Sequence, residues 1–271
     1  MVNVISDVKW AKALEQLEAY IFKILTPRGT GSGFLISKSG KIFGIATALH
    51  VIEHEYEWEE PIKIFHYLTK KQKILLKQDR VIFTHPNEDL AFILFPNENM
   101  ELPDEMLTRI PFDKYIRQGI QMGWCGFPAV ASDTLCFFTG HVSAYLGKIG
   151  SYLVDGVAIN GVSGGPAFII TEGAPQLCGV VSAYIPNRVT GESLPGVCVI
   201  RDVAPYQETL NQLSSLEKAA EEAKAEKEAA TGKTQGSESS PSKAARKPAK
   251  KKTPQKVTKK KTTLKITKKS S

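Results

Sequence analysis

The chain has only four cysteines in 271 residues, Cys125, Cys136, Cys178 and Cys198, with no CxxC pair and no histidine cluster beside them. This spacing supports neither a zinc site nor a disulfide framework. The four read as buried free thiols, and the expected compartment is a reducing, cytoplasmic one. Long apolar runs are also missing. None reaches 18 residues, so no transmembrane helix is expected. Asp7, Lys9, Lys12, Glu15, Glu18 and Lys23 break up the start of the chain, which leaves no signal-peptide core. Histidine is scarce, and His54, His66, His85 and His141 show no ligand spacing. They read as surface or packing residues, and no metal or cofactor is expected.

Charge is plentiful but unevenly placed. From Thr231 onward there are 14 Lys+Arg and one acid, a net of +13, against 21 basic and 27 acidic residues before it, a net of −6. The overall +7 therefore joins a mildly acidic body to a basic tail. The tail, 232–271, holds only Val257, Leu264 and Ile266 as aliphatic anchors and is expected to be disordered, because so little burial cannot offset ordering entropy. It has no Phe, Tyr or Trp for stacking on bases, and its single arginine makes guanine reading improbable. The runs Lys250, Lys251, Lys252 and Lys259, Lys260, Lys261 would instead attract phosphates without sequence preference and with steep salt dependence. The composition resembles a linker-histone tail and is compatible with nucleoid or nuclear association. An anionic membrane surface, a localisation signal and simple solvation remain open.

Residues 1–21 carry an amphipathic pattern over 6–21, with Ser6 as N-cap and Trp10, Leu14, Leu17 and Ile21 at helical spacing. Its expected role is packing on the domain that follows, 22–203. There the texture changes to short runs rich in Ile, Val, Phe and Tyr: Gly33–Ser37, Ile42–Val51, Lys73–Leu76, Val81–Phe83, Leu90–Phe95, Thr134–Ser143, Ala167–Thr171, Cys178–Ile185 and Gly196–Ile200. Many short strands without alternating helices point to an all-β sandwich or barrel. The polar stretch Glu101–Arg117 could connect two units, about 22–110 and 117–203. A second helix, 204–231, starts near Pro205 and continues to about Ala230, docking through Tyr206, Leu210 and Leu213.

Three motifs carry chemistry. Thr47-Ala48-Leu49-His50-Val51 ends an apolar run, where a lone histidine is most often a satisfied core residue. Glu88-Asp89-Leu90-Ala91-Phe92 leads into a strand, where aspartate is usually a turn or cap residue, although a buried carboxylate needs a partner such as imidazole. Asn160-Gly161-Val162-Ser163-Gly164-Gly165-Pro166 is either a Gly-rich turn or a bent backbone that exposes a hydroxyl and converges N–H groups on one point.

Together these motifs resemble the chymotrypsin-fold serine proteases, in the order His, Asp, Ser. Gly31-Ser32-Gly33-Phe34-Leu35-Ile36, Gly140-His141-Val142-Ser143, Gly179-Val180-Val181-Ser182 and Leu194-Pro195-Gly196-Val197 look like further landmarks. The sequence is similar to Htr-type and other bacterial trypsin-like peptidases. Val162 stands where zymogen-activated members carry Asp, and Asn160 meets Gly161 without the proline usual in Htr proteins.

The resemblance implies two six-stranded Greek-key β-barrels and a serine endopeptidase acting on polypeptides. In that reading His50 is the general base, Asp89 its orienting partner, Ser163 the nucleophile, and Gly161 and Ser163 the oxyanion donors. It further implies a pocket with Val157 at its floor, Tyr184 and Gly196 on its walls, and Ser182 supporting Asp89. Without a carboxylate at the floor, small or medium aliphatic residues are the expected preference. The alternative is a catalytically silent peptide-binding or nucleic-acid-associated protein whose tail does the work.

Overall fold

The computed structural model describes residues 4–97, 99–186, 193–215 and 218. Helix α1, Val4–Leu17, comes first, followed by a 3-10 turn, Glu18–Tyr20. The helix begins before Ser6 and stops short of Ile21, which corrects both the N-cap and the 6–21 boundary. Ile21 opens a strand, because pairing with Phe34 across a sheet buries it completely. Ala13 and Leu17 are fully buried, and the Trp10 ring packs on Phe137 and Phe168.

The first half is a seven-stranded antiparallel sheet. Its strands are β1 Ile21–Thr26, β2 Gly29–Ser39, β3 Ile42–Ala48, β4 Ile62–His66, β5 Gln72–Leu75, β6 Val81–His85 and β7 Leu90–Pro96. The spatial order is β5-β4-β1-β2-β3-β7-β6. The second half is a closed barrel of β8 Gln121–Gly126, β9 Cys136–Leu146, β10 Ser151–Asp155, β11 Pro166–Thr171, β12 Ala174–Pro186 and β13 Ser193–Asp202. This is the all-β, two-barrel chymotrypsin-like architecture. The first half differs in detail from a six-stranded barrel: it has seven strands and curls without closing. Arg80 sits in the gap between β5 and β6, and its guanidinium donates to the carbonyls of Leu75, Glu55 and Glu60 at 2.7, 2.8 and 2.6 Å. Backbone acceptors near the open seam are thus satisfied without a ladder.

Strands β2, β3 and β7 are buried on both faces. Leu35, Ile45, Ala91 and Ile93 point into the first core, while Phe34, Ala46, Leu90 and Phe92 alternate with them into a second core shared with the closed barrel. Two-sided burial explains why these strands read as uninterrupted apolar runs. A short helix α2, Glu53–Glu57, follows β3, and helix α3, residues 204–215, follows β13. Fully buried Tyr206 fastens α3 by placing its hydroxyl 2.7 Å from the Thr47 carbonyl and 2.9 Å from that of Ala91. The remainder of the 204–231 reading beyond residue 218, and the whole 232–271 tail with Lys250, Lys251, Lys252, Lys259, Lys260 and Lys261, lie outside the described residues.

Candidate active site

The β3–β7 ladder pairs Ala48 with Leu90, so the residues just past β3 meet those just before β7. His50 lies in a 3-10 turn, Leu49–Val51, and Asp89 follows another, Pro86–Glu88. Asp89 is left-handed, at φ 54° and ψ 44°, a conformation that aspartate tolerates better than most residues. Its carbonyl accepts from Leu49 N–H at 3.0 Å, and its carboxylate accepts from His50 N–H at 3.0 Å. The His50 Nδ1 to Asp89 Oδ2 distance is 2.8 Å. Ser182, almost fully buried on β12, donates its hydroxyl to the same Oδ2. Burial pushes the Asp89 carboxyl up, but the His50 hydrogen bonds and charge and the Ser182 hydroxyl outweigh it and hold the group below its ordinary value. An ionised Asp89 places the His50 proton on Nδ1 and leaves the Nε2 lone pair free.

Ser163 occupies the loop between β10 and β11. Two of its neighbours need left-handed backbone, Gly161 at φ 93° and Gly164 at φ 85°. A Cβ on Gly164 would stand 2.1 Å from Ser32 O and 2.2 Å from Thr47 Oγ1. Backbone bonds fix the loop: Gly164 N–H to Val181 O at 2.7 Å, Val162 N–H to Ile159 O at 3.0 Å, and Ser32 N–H to Ser163 O at 2.8 Å. The Ser32 hydroxyl donates to Gly161 O at 2.8 Å and accepts from Phe127 N–H at 2.9 Å. Thus β2 of the first half stitches down the loop of the second.

Among the described residues, the N–H groups of Gly161 and Ser163 donate to nothing. The Asn160 carbonyl is turned onto Ala129 N–H at 2.7 Å. Because the peptide unit is planar and trans, the Gly161 N–H must point the opposite way. His50, Val51, His54, Asn160, Gly161 and Ser163 line one cleft of about 280 Å³. The Ser163 hydroxyl itself donates to Ser182 O at 3.1 Å.

Of the pocket residues, Val157 is 51% exposed. Gly196 is its near neighbour, since Gly156 N–H donates to Gly196 O at 3.0 Å. The Tyr184 backbone is part of β12, but its side chain lies outside the described residues. The other histidines have partners of their own, although His54 also lines the cleft. His66 is buried against Thr69 Oγ1 and Ala19 O, His85 meets Thr209, His54 lies near Glu60 and His141 near Asp155. Burial lowers the His66 imidazole below its ordinary value.

Three contributors carry no local sequence signal for their roles. Ser32 has just been described. Arg201 on β13 donates Nε to Ser182 Oγ at 3.4 Å and Nη1 to Ser151 Oγ at 2.8 Å. An acceptor site occupied by Arg201 leaves the Ser182 proton directed at Asp89. Tyr206 braces β3, which ends just before the His50 turn, and β7, which begins after Asp89. Among the described residues no helix is long and apolar enough to cross a membrane.

No protein-family model and no curated protein matches the chain. Solved structures do. Deg5 superposes with a TM-score of 0.57 at 18% identity, over 75% of this chain and 92% of that one. The HtrA-type protease AlgW, solved with a tripeptide, gives 0.58 at 20% identity, over 75% of this chain and 63% of that one. The serine endoprotease from Yersinia pestis gives 0.55 at 18% identity, over 75% and 66%. The chain therefore spans about two thirds of the latter two. At these identities the likeness is one of architecture: this chain has the trypsin-like fold found in Deg and HtrA-type serine proteases.

Proposed function

We propose that the chain is a serine endopeptidase in which His50, Asp89 and Ser163 act together. The observation that carries this reading is that His50, already bonded to Asp89, lines one cleft with Gly161 and Ser163, whose N–H groups find no acceptor among the described residues. His50 Nε2 removes the Ser163 proton as Oγ attacks the scissile carbonyl, and returns it to the leaving amine. Asp89 keeps the imidazole in the required tautomer and stabilises the transient imidazolium without taking the proton. Gly161 and Ser163 N–H receive the oxyanion, a contribution of about 3 kcal/mol per donor. Water then resolves the acyl-enzyme by the same path.

The resting Ser163 bond to the Ser182 carbonyl fits this sequence of events. A substrate strand pairing with Ser182 supplies its own N–H to that carbonyl and releases the hydroxyl toward His50. The pocket beside Val157, Tyr184 and Gly196 takes small or medium aliphatic side chains, and a cleavage profile dominated by Lys or Arg would sink that assignment. The lysines of the tail hold the enzyme to nucleic acid or another polyanion, and undiminished DNA affinity after truncation at Gly232 would remove that role.

The resting bond also gives a second reading its one support: a body that binds peptides without turnover, with Ser163 Oγ kept on Ser182 rather than on His50. Labelling by a fluorophosphonate probe separates the two. The endopeptidase reading expects labelling that is lost in Ser163→Ala and in His50→Ala. An intact chain that stays unlabelled at high probe concentration would overturn it.

A further inference from the structure

A second cavity, of about 350 Å³, lies between the outer face of the first sheet and the loop that follows β8. Its cations are Lys23 on β1, Lys63 on β4 and Lys70 just beyond β4, and its apolar lining is Leu25, Phe65 and Phe127. The β1–β4 register explains the pattern. Lys23 stands opposite Phe65 and Leu25 opposite Lys63, so ammonium groups and apolar side chains alternate on one surface. Lys70 is fixed over the Tyr67 ring at 3.9 Å.

The charges in this cavity do not balance. Lys23 is only 7% exposed, and a buried ammonium needs an anion. It has one in Asp133, at 3.0 Å, whose own side chain is 95% exposed on the surface loop. Among the described residues, Lys63 and Lys70 meet no carboxylate within 4.0 Å. Three cations therefore share one carboxylate, in a body whose net charge is −6.

This cavity comes near the catalytic cleft at two points. Leu25 lines the cavity and the next residue, Thr26, lines the cleft. Phe127 lines the cavity while its carbonyl lies against Gly161, 2.3 Å from where a Cβ would stand, and Ala129 N–H holds Asn160. In the proposed function the acyl side of the substrate lies toward Ser182 and Val157, so the β1 direction is the leaving-group side. Lys23 is three residues from Thr26, about 10 Å along a strand, which an extended substrate crosses in about three residues.

We infer that this groove recognises an acidic side chain of the polypeptide substrate, about three to five residues beyond the scissile bond on the leaving-group side. The inference rests on the endopeptidase reading and names its substrate class. A carboxylate on an apolar stem fits lysines set among Leu25, Phe65 and Phe127. A nucleic-acid backbone fits less well, because the apolar lining of Leu25, Phe65 and Phe127 matches the stem of an acidic side chain and offers nothing to a phosphate.

The test uses the full chain and peptides identical except for Glu, Gln or Lys at the third to fifth positions after the cleavage site. The Glu peptide should exceed the Gln peptide by about fivefold or more in kcat/KM. The preference should vanish in Lys63→Gln/Lys70→Gln and reverse toward the Lys peptide in Lys63→Glu/Lys70→Glu. Equal cleavage of all three peptides by the unaltered chain, or a preference that survives both double variants, would overturn the inference while leaving the endopeptidase reading intact. A chain that cleaves none of them and resists the fluorophosphonate probe removes that reading and this one with it. Anisotropy of the labelled Glu peptide and of labelled oligo(dT) on Ser163→Ala adds a readout without turnover. Peptide affinity should fall in the double variants, and a fall in oligo(dT) affinity alone would assign the lysines to nucleic acid and overturn the peptide proposal.

Discussion

In the first half, His50 and Asp89 hold one another by hydrogen bonds between groups that ionise; in the second, Ser163 is held by backbone bonds and glycines that do not titrate. Half-buried Asp89 and buried Asp202 differ in sign as well. Asp89 is held low because His50 and Ser182 outweigh its burial. Burial dominates at Asp202 in the second half and keeps that carboxyl high, although Ala204 N–H, Tyr145 and Tyr152 all donate to it. One side of the cleft is thus set by electrostatics and the other by steric fit, so different substitutions should damage each.

The largest expected effects are on turnover. Ser163→Ala should lower kcat/KM by roughly 10⁴- to 10⁶-fold with little change in unfolding midpoint, since among the described residues the lost hydroxyl bonds only the Ser182 carbonyl. Asp89→Asn should cost about 10⁴-fold, because an amide no longer enforces the His50 tautomer. A loss of tenfold or less in Asp89→Asn would break the electrostatic account of the first half.

Steric fit in the second half is tested by two glycines with the same φ of 85°. Gly164→Ala meets Ser32 O and Thr47 Oγ1 and should cost at least about 3 kcal/mol in denaturant unfolding. Gly173→Ala meets nothing within 4 Å and should cost only the backbone term, about 1 kcal/mol. Equal costs would mean that φ alone, and not crowding at the Ser163 loop, sets the requirement. Tyr206→Phe, which leaves the carbonyls of Thr47 and Ala91 without their hydroxyl, should cost about 1–2 kcal/mol by the same measurement.

The smallest effects are pH slopes of opposite sign. The native Asp89 carboxyl is lowered, so the unfolded chain binds its proton more readily. Its contribution to stability is complete above about pH 4 and is lost as pH falls through the native value. The native Asp202 carboxyl is raised, so its contribution is complete below about pH 4 and is lost as pH rises through the native value. Unfolding free energies measured from pH 3 to 7 should lose the first slope in Asp89→Asn and the second in Asp202→Asn. Slopes of one sign in both variants would erase the contrast between the halves.

Legibility in the sequence follows the same physical lines. Ile42–Val51 and Leu90–Phe95 stand out because both faces of β3 and β7 are covered. The end of the first run turns into the helical turn carrying His50, a change that needs Asp89 opposite it. β1, β4, β8 and β10 do not stand out. β4 alternates Lys63 and Phe65 with buried neighbours, and β8 contains Gly123 because the Trp10 ring of α1 rests on it, 2.5 Å from any Cβ. His50, Asp89 and Ser163 could be singled out by motif and order, and the glycines beside Ser163 by their number. Tyr206 could be named as a docking residue but not the strands it braces, and the partners of Ser32, Arg201 and the lysine groove could not be read, since they are remote: Ser32 and Gly161 are 129 positions apart, Tyr206 and Thr47 159.

The sequence by itself determined the strand-rich class, the order of the three motifs and the division of charge between an acidic body and a basic tail, because each depends on composition or on neighbours along the chain. Only the tertiary structure decided that the first half curls without closing. It alone decided that Ser163 rests on the Ser182 carbonyl, that the Gly161 and Ser163 N–H groups find no acceptor among the described residues, and that three lysines gather in one groove. These depend on hydrogen bonds and register between segments far apart in the chain, where a shift of one residue turns every side chain to the opposite face.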